Sequence, residues 1–232
     1  MTWVLHEGDC LEIMRHMPDK SVDMILTDIP YGNVSKNGEE RAKYSGQLRK
    51  LDKGVADIET FSLIDFLSEC YRLVSGSIYI FCGIEQVSEI FKYFDAQKGC
   101  MTRYCIWRKT NPSPSNGQHM WLSTIENCVF VKKRKSIFNA YCKQAVWDYP
   151  VVHQKTHPTQ KPVLLFEYLI KASSNKDNII FDPCAGSGTT GVAADNCGRN
   201  SILIEKEPKY CEIIRKRMES LPPRLFTKAV SE

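Results

Sequence analysis

The chain has 232 residues, which suits one α/β domain with a small insertion or at most two small domains. Hydrophobic residues make up 43%, which excludes a disordered chain, and a formal net charge of +4 permits an acidic partner without demanding one. The 10 cysteines are scattered, with no Cys-x-x-Cys and no zinc-ligand spacing, and no apolar run reads as a signal peptide or a membrane span; reduced thiols, a cytoplasmic protein and no metal site are expected.

In chain order, Trp3–His6 is predicted as a strand and Cys10–Met17 as a helix. Val22–Thr27 is a near-continuous apolar run, the pattern of a strand buried on both faces, and Asp28-Ile29-Pro30-Tyr31 follows at its end. Residues 33–57 lose apolar periodicity and read as a long polar loop. Phe61–Leu73 is predicted helical, with Phe61, Ile64, Leu67, Tyr71 and Val74 on one face. Ser77–Cys82, Thr102–Trp107 and Glu126–Lys132 are predicted strands, and Ile84–Phe94 a helix. Arg108 to Gly117 is a basic loop kept irregular by Pro and Gly, and residues 133–160 are polar with interleaved aromatics. Pro162–Ser173, Thr189–Asn196 and Pro208–Ser220 are predicted helices; Asn178–Phe181 and Ser201–Ile204 are predicted strands. Strands alternating with helices predict a parallel, doubly wound α/β sheet.

The loop Asp182-Pro183-Cys184-Ala185-Gly186-Ser187-Gly188-Thr189-Thr190-Gly191 joins a strand to a helix, and Glu205 ends the next strand. Gly186, Gly188 and Gly191 fit Gly-x-Gly-x-x-Gly, with the acid about 20 residues further on, where a ribose-binding carboxylate is expected. A triphosphate is disfavoured because Val192, not Lys, follows Gly191. NAD fits the glycines, but Asp182 would face its pyrophosphate. S-adenosylmethionine carries no phosphate; Asp182 suits its cationic part, the loop amides with Thr189 and Thr190 its carboxylate, and Glu205 its ribose.

In the strip after the buried strand, Asp28 can accept a hydrogen bond from an amine and the Ile29 carbonyl can accept the second. Pro30 holds Ile29 extended, and Tyr31 offers a face for stacking on a base. Methyl transfer then needs mainly alignment of nitrogen, methyl and sulfur. Taken alone, these four residues equally describe a strand running into a Pro-containing turn; the cofactor loop elsewhere in the chain favours the catalytic reading.

With these motifs the sequence resembles the β-class amino-methyltransferases of DNA, the type found in bacterial restriction–modification systems or as orphan enzymes. Their strip is (Asp/Asn/Ser)-Pro-Pro-Tyr, their cofactor loop is similar to Asp-Pro-Phe-x-Gly-Ser-Gly-Thr-Thr, and the strip precedes the loop, as here. His157-Pro158-Thr159-Gln160-Lys161-Pro162 resembles a family segment at the cofactor's carboxylate end, which implicates His157, Thr159 and Lys161. Gly8-Asp9-Cys10 resembles the segment near the cofactor's adenine, which implicates Asp9 and Cys10. Two positions depart from the pattern: Ile29 stands for the first Pro and Cys184 for the usual Phe.

The resemblance implies a single Rossmann-like methyltransferase domain with a mostly parallel seven-stranded sheet, one strand antiparallel, helices on both faces and small target-recognition loops. It divides residues 1–232 into a catalytic-strip half (1–32), recognition loops (33–60 and 108–156) and a cofactor half (157–220). It implies S-adenosylmethionine as cofactor, double-stranded DNA as substrate with a flipped-out base, a homodimer, and a cognate restriction endonuclease. A leading Asp is typical of adenine-N6 members. Cytosine-N4 or RNA methylation is the nearest alternative. A protein glutamine-amide methyltransferase has the opposite motif order, and the intact motifs argue against a catalytically dead binding module. Candidate DNA contacts are Arg41, Lys43, Arg49 and Lys50 in the long polar loop, Arg108 and Lys109 in the basic loop, and Lys133 and Arg134 at a strand end. Tyr44, His119, Trp121 and Trp147 are candidates to stack on bases, though core packing suits them equally. His153 and His157 lack a recognisable nucleophile partner and are read as structural or cofactor-adjacent.

Overall fold

The structure, a computed structural model, describes residues 2–31, 61–114, 117–152 and 160–222. Its strands are β1 (Trp3–Glu7), β2 (Val22–Asp28), β3 (Val74–Cys82), β4 (Cys100–Lys109), β5 (Ile125–Lys133), β6 (Val146–Tyr149), β7 (Ile179–Asp182) and β8 (Asn200–Glu205). The helices are α1 (Cys10–His16), α2 (Leu63–Leu73), α3 (Ile84–Asp95), α4 (Val163–Ser173), α5 (Thr189–Cys197) and α6 (Pro208–Glu219). The strands form one sheet in the order β1-β8-β7-β2-β3-β5-β4-β6. All neighbours pair in parallel except those involving β5, which runs against β3 and β4. Among the described residues, no helix is long and apolar enough to cross a membrane.

Central strands β2 and β3 are apolar along their length because the sheet is covered on both sides. Ile25, Ile78 and Ile80 face a core closed by Leu11 and Met14 of α1, Phe66 and Leu67 of α2, and Ile90 and Phe94 of α3. The alternate residues, Met24, Leu26, Tyr79 and Phe81, face a second core closed by Leu165, Phe166 and Leu169 of α4 and Ala193 and Ala194 of α5. The two-residue period of the strand thus splits one apolar run between two layers.

Two expectations change. Among the described residues the sheet has eight strands, not seven. The added edge strand, β6, is four residues long with one deeply buried side chain, Trp147, too short for alternation to show through a polar stretch. On α2, Ile64 is 54% exposed, and the buried face runs instead through Phe66, Leu67, Cys70 and Leu73. The i, i+3, i+4 spacing admits both stripes, and packing on β3 selects the second.

The carboxyl ends of the parallel strands share one sheet edge. Register aligns Glu7 with Glu205, Asp182 with Leu203, and Asp28 with Phe81. Because β5 is antiparallel, its beginning lies at this edge, with Phe81 opposite Cys128 and Cys82 opposite Asn127. The motifs separated in sequence therefore meet where open α/β sheets bind ligands.

Candidate active site

Asp28 is the last residue of β2, and the strip beyond it is pinned from β3 and α3. The Ile29 amide donates to the Phe81 carbonyl at 3.1 Å, while the Ile29 side chain is buried in the first core. Gln86 of α3 donates to the Pro30 carbonyl at 2.9 Å and accepts the Gly83 amide at 2.9 Å. Rigidity that a second proline would give is supplied by core packing of Ile29 and by this amide clamp.

Four charged groups meet at the strip. The Lys161 ammonium lies 2.5 Å from Oδ2 of Asp28 and 3.0 Å from Oε2 of Glu126. Lys109, at the end of β4, takes the other oxygen of Glu126 at 3.0 Å. The Tyr31 hydroxyl donates to Oδ1 of Asp28 at 2.9 Å and reaches Glu126 at 3.4 Å. Among the described residues, two carboxylates are matched by two ammoniums. Burial pushes the Asp28 carboxyl above the usual range, against the pull of the Lys161 ammonium. Lys161 is also buried, which alone would lower its pKa, but Asp28 and Glu126 outweigh this and hold it charged. Burial likewise opposes ionisation of Glu126, and Lys161 with Lys109 overcome it, so its pKa falls below the normal value. Cys82 beside the strip is pushed up to about 12 by burial and by Asp28.

The cofactor half is built on backbone that only glycine adopts freely. Gly186 and Gly188 have φ of 54° and 77°. At Gly191 a Cβ would come within 2.8 Å of Leu203 and 2.9 Å of the Met218 sulfur, so α5 sits tightly on β8 and α6. Asp182 is buried; it accepts the Cys184 amide at 3.1 Å and the Thr190 hydroxyl at 2.5 Å. Burial raises its pKa to about 6. These bonds brace the loop from within. Thr189 is different: its hydroxyl is buried with no hydrogen-bond partner among the described residues. An orphaned donor at the first residue of a helix following a left-handed glycine suits a ligand carboxylate.

Glu205 accepts the Gly186 amide at 2.7 Å and the Glu207 amide at 2.9 Å, tying the end of β8 to the loop. Each oxygen keeps lone-pair capacity for a ribose hydroxyl. Burial raises its pKa to about 7. Asp9 caps α1, accepting the Leu11 amide at 2.9 Å and the Glu12 amide at 3.3 Å. The Cys10 thiol meets that of Cys184 in the cofactor loop, so Cys184 fills its place by packing on Cys10. Pro183 and Ala185 are buried, Ser187 accepts from Arg217 at 3.1 Å, and the Ala185 amide donates to Ile204 at 2.9 Å.

Other candidates separate. Arg108 is exposed and held by Asp148 at 2.6 Å and 2.7 Å. Lys133 is at the opposite sheet edge, where its ammonium donates to the Tyr71 and Val74 carbonyls at 2.6 Å and 2.7 Å and lies over the Tyr71 ring. Arg134 is beside it, its amide on Gly99. Both are therefore set apart from the cluster, and Lys133 has a structural task. Trp147 is buried, whereas Trp121 is 97% exposed. Arg41, Lys43, Tyr44, Arg49, Lys50, His153, His157 and Thr159 lie outside the described residues. Glu126 was not anticipated; its signal was a lone acid heading an apolar strand, which only the antiparallel course of β5 brings to Asp28.

The family model described as DNA methylase, for N6 and N4 methyltransferases, matches residues 22–216. The type II methyltransferase M.HinfI of Haemophilus influenzae is 31% identical over 248 residues, covering 94% of this chain and 68% of that protein. M2.MboI of Moraxella bovis is 29% identical over 245 residues, covering 95% and 89%. The crystal structure of the M1.HpyAVI-SAM complex superposes with a TM-score of 0.71 at 28% identity, covering 93% of this chain and all of that one. With the strip, the glycine loop and their order in one sheet, these matches make the chain a member of the DNA methylase family, the S-adenosylmethionine-dependent DNA amino-methyltransferases.

Proposed function

We propose that this chain binds S-adenosylmethionine in the Asp182–Gly191 loop and methylates adenine N6 of a base flipped out of double-stranded DNA. The observation that carries the reading is the junction of Asp28, Lys161 and Tyr31 at the sheet edge that also holds the glycine loop. The cofactor supplies an electrophilic methyl on a positively charged sulfur. Asp28 and the Ile29 carbonyl each accept a hydrogen bond from the amine and concentrate the lone pair on nitrogen, while Tyr31 packs against the base. Glu205 receives the ribose, Thr189 the carboxylate. The leading Asp favours adenine; cytosine N4 is the alternative. Residues 1–232 are read as one domain, because strands from both halves interleave in one sheet; a homodimer and a partner endonuclease rest on resemblance alone.

Labelled cofactor, duplex DNA and nucleoside analysis test this. Label is expected in N6-methyladenine; label in N4-methylcytosine selects the alternative, and label only in protein overturns the reading.

Cofactor binding has a predicted pH dependence. The folded pKa of Glu205, about 7, lies above its ordinary value of 4.5, so in the free protein its stabilising effect is full below 4.5 and lost as pH rises through 7. Accepting ribose hydroxyls favours the ionised form. Affinity should therefore tighten from pH 6 to 8 with proton release, measured by calorimetry in buffers of different ionisation heat, and Glu205→Gln should flatten the response.

The β4–β5 loop is the DNA-facing element of this reading. Its neck is fixed by Lys109 N to Thr124 O at 2.7 Å and by paired bonds between Asn111 and Val151 at 2.5 and 3.3 Å. From Thr110 to Ile125 it contains no acid, and it exposes Met120, Trp121 and Leu122. Trp121→Ala is expected to weaken duplex binding by about 1–3 kcal/mol, the worth of one stacked base, with cofactor affinity unchanged. Fluorescence anisotropy measures the first and calorimetry the second.

A further inference from the structure

The Lys161 ammonium poses a problem for catalysis. At 2.5 Å from Asp28 it neutralises the carboxylate that has to accept hydrogen from the target amine. A carboxylate facing one ammonium alone is a weak base and a weak acceptor. The geometry supplies a competitor, because Glu126 takes the same ammonium at 3.0 Å. Its other oxygen is fixed by Lys109 at 3.0 Å, so the carboxylate cannot swing away to solvent. Lys161 and Glu126 expose only 5% and 21% of their side chains, and the Tyr31 hydroxyl points at both carboxylates.

We infer that Glu126 is a positioning residue for methyl transfer: it shares the Lys161 ammonium with Asp28, so that Asp28 stays oriented yet remains a strong acceptor for the target amine. The inference rests on the proposed function of the strip. No new bond-making step is involved. Glu126 acts through Lys161, and Lys109 acts through Glu126.

Among the described residues, the groups facing Asp28 are Lys161 ahead of α4, Tyr31 in the strip, Glu126 and Cys128 on β5, Cys82 on β3 and Asp182 on β7. Lys161 is the one cation among these described groups, so removing the Glu126 charge throws its full ammonium onto Asp28. Glu126→Gln is isosteric and keeps an oxygen for one ammonium.

The test uses the full chain, with Glu126→Gln and Glu126→Asp. In Glu126→Gln, kcat is expected to fall by roughly 10- to 100-fold, as for loss of a group supporting a functional side chain. Cofactor Kd and DNA KM should stay unchanged, and the acidic limb of the kcat profile should move to lower pH. Glu126→Asp should recover part of the rate. Carbon NMR of aspartate-labelled protein reads Asp28 directly and needs no turnover: its carboxyl should titrate at lower pH in Glu126→Gln than in wild type. An unmoved Asp28 titration overturns the inference whatever the substrate proves to be. A fall in kcat carried by cofactor affinity or KM, with the acidic limb fixed, overturns it as well. Absence of methylated DNA base from wild type, with the NMR shift present, sinks the function and leaves the tuning of Asp28 by Glu126 standing.

Discussion

Asp28→Ala is expected to lower methyl transfer by roughly 10³-fold while leaving cofactor binding largely intact. The target amine loses the acceptor that holds it in line with the methyl, whereas the glycine loop, Glu205 and Thr189 are untouched. The structure sharpens this expectation in two ways. First, Asp28 is one of two carboxylates on the buried Lys161, so the alanine variant leaves Lys161 and Lys109 against Glu126 alone, an excess of positive charge. Some stability is lost with the rate, and thermal unfolding should accompany the kinetics. Second, Asp28→Asn keeps the shape and an accepting oxygen, yet removes the charge that holds Lys161. If charge on Asp28 is what activates the amine, Asn should be nearly as inactive as Ala. If placement alone suffices, Asn should retain most of the rate, and calorimetry with S-adenosylmethionine should be unchanged in both. Weakened cofactor binding in either variant would mean that Asp28 serves the cofactor.

Much of this was legible in the sequence, for identifiable reasons. The strip and loop could be located because each sits at the end of a short apolar strand, and a strand buried on both faces announces itself as a continuous run such as Val22–Thr27. The glycines were readable because left-handed backbone at Gly186 and Gly188, and the close approach at Gly191, restrict the residue type. What failed to show were contacts across the sheet. Glu126 is nearly 100 residues from Asp28 in sequence, and its place depends on the reversal of β5. Lys133 looked like one of a basic run, but the carbonyls that bind it come from the α2–β3 junction, which periodicity cannot point at. The same limit separates Asp182 from Glu205. Both are acids at strand ends, but the second residue of α5, Thr190, takes up Asp182 and leaves Glu205 open. Residue type identified the chemistry, and only packing assigned which acid faces inward.

Lys161→Met is the variant with the largest expected effect on folding. The side chain is of similar length and apolar, so it fills the space but leaves Asp28 and Glu126 facing each other, each only about a fifth exposed. Removing one partner of a buried ion pair costs about 3–5 kcal/mol, because the remaining charge is left uncompensated. Here Asp28 loses its ammonium and faces Glu126, which keeps Lys109. In the wild type, Glu126 titrates below 4.5, so its contribution is present above that value and lost as pH falls through the folded pKa. In the variant, like-charge repulsion raises the pKa of one carboxylate, and protonating it relieves the penalty. The gap in Tm between wild type and variant should therefore be widest near pH 8 and narrow toward pH 5. Sequence resemblance placed Lys161 at the cofactor's carboxylate end, whereas its ammonium is here committed to Asp28 and Glu126. The two assignments diverge in one experiment. A variant with normal Tm and weakened S-adenosylmethionine binding favours the cofactor. A variant whose Tm falls in this pH-dependent way, with cofactor affinity retained at low temperature, makes Lys161 the cation that holds the catalytic carboxylate in place.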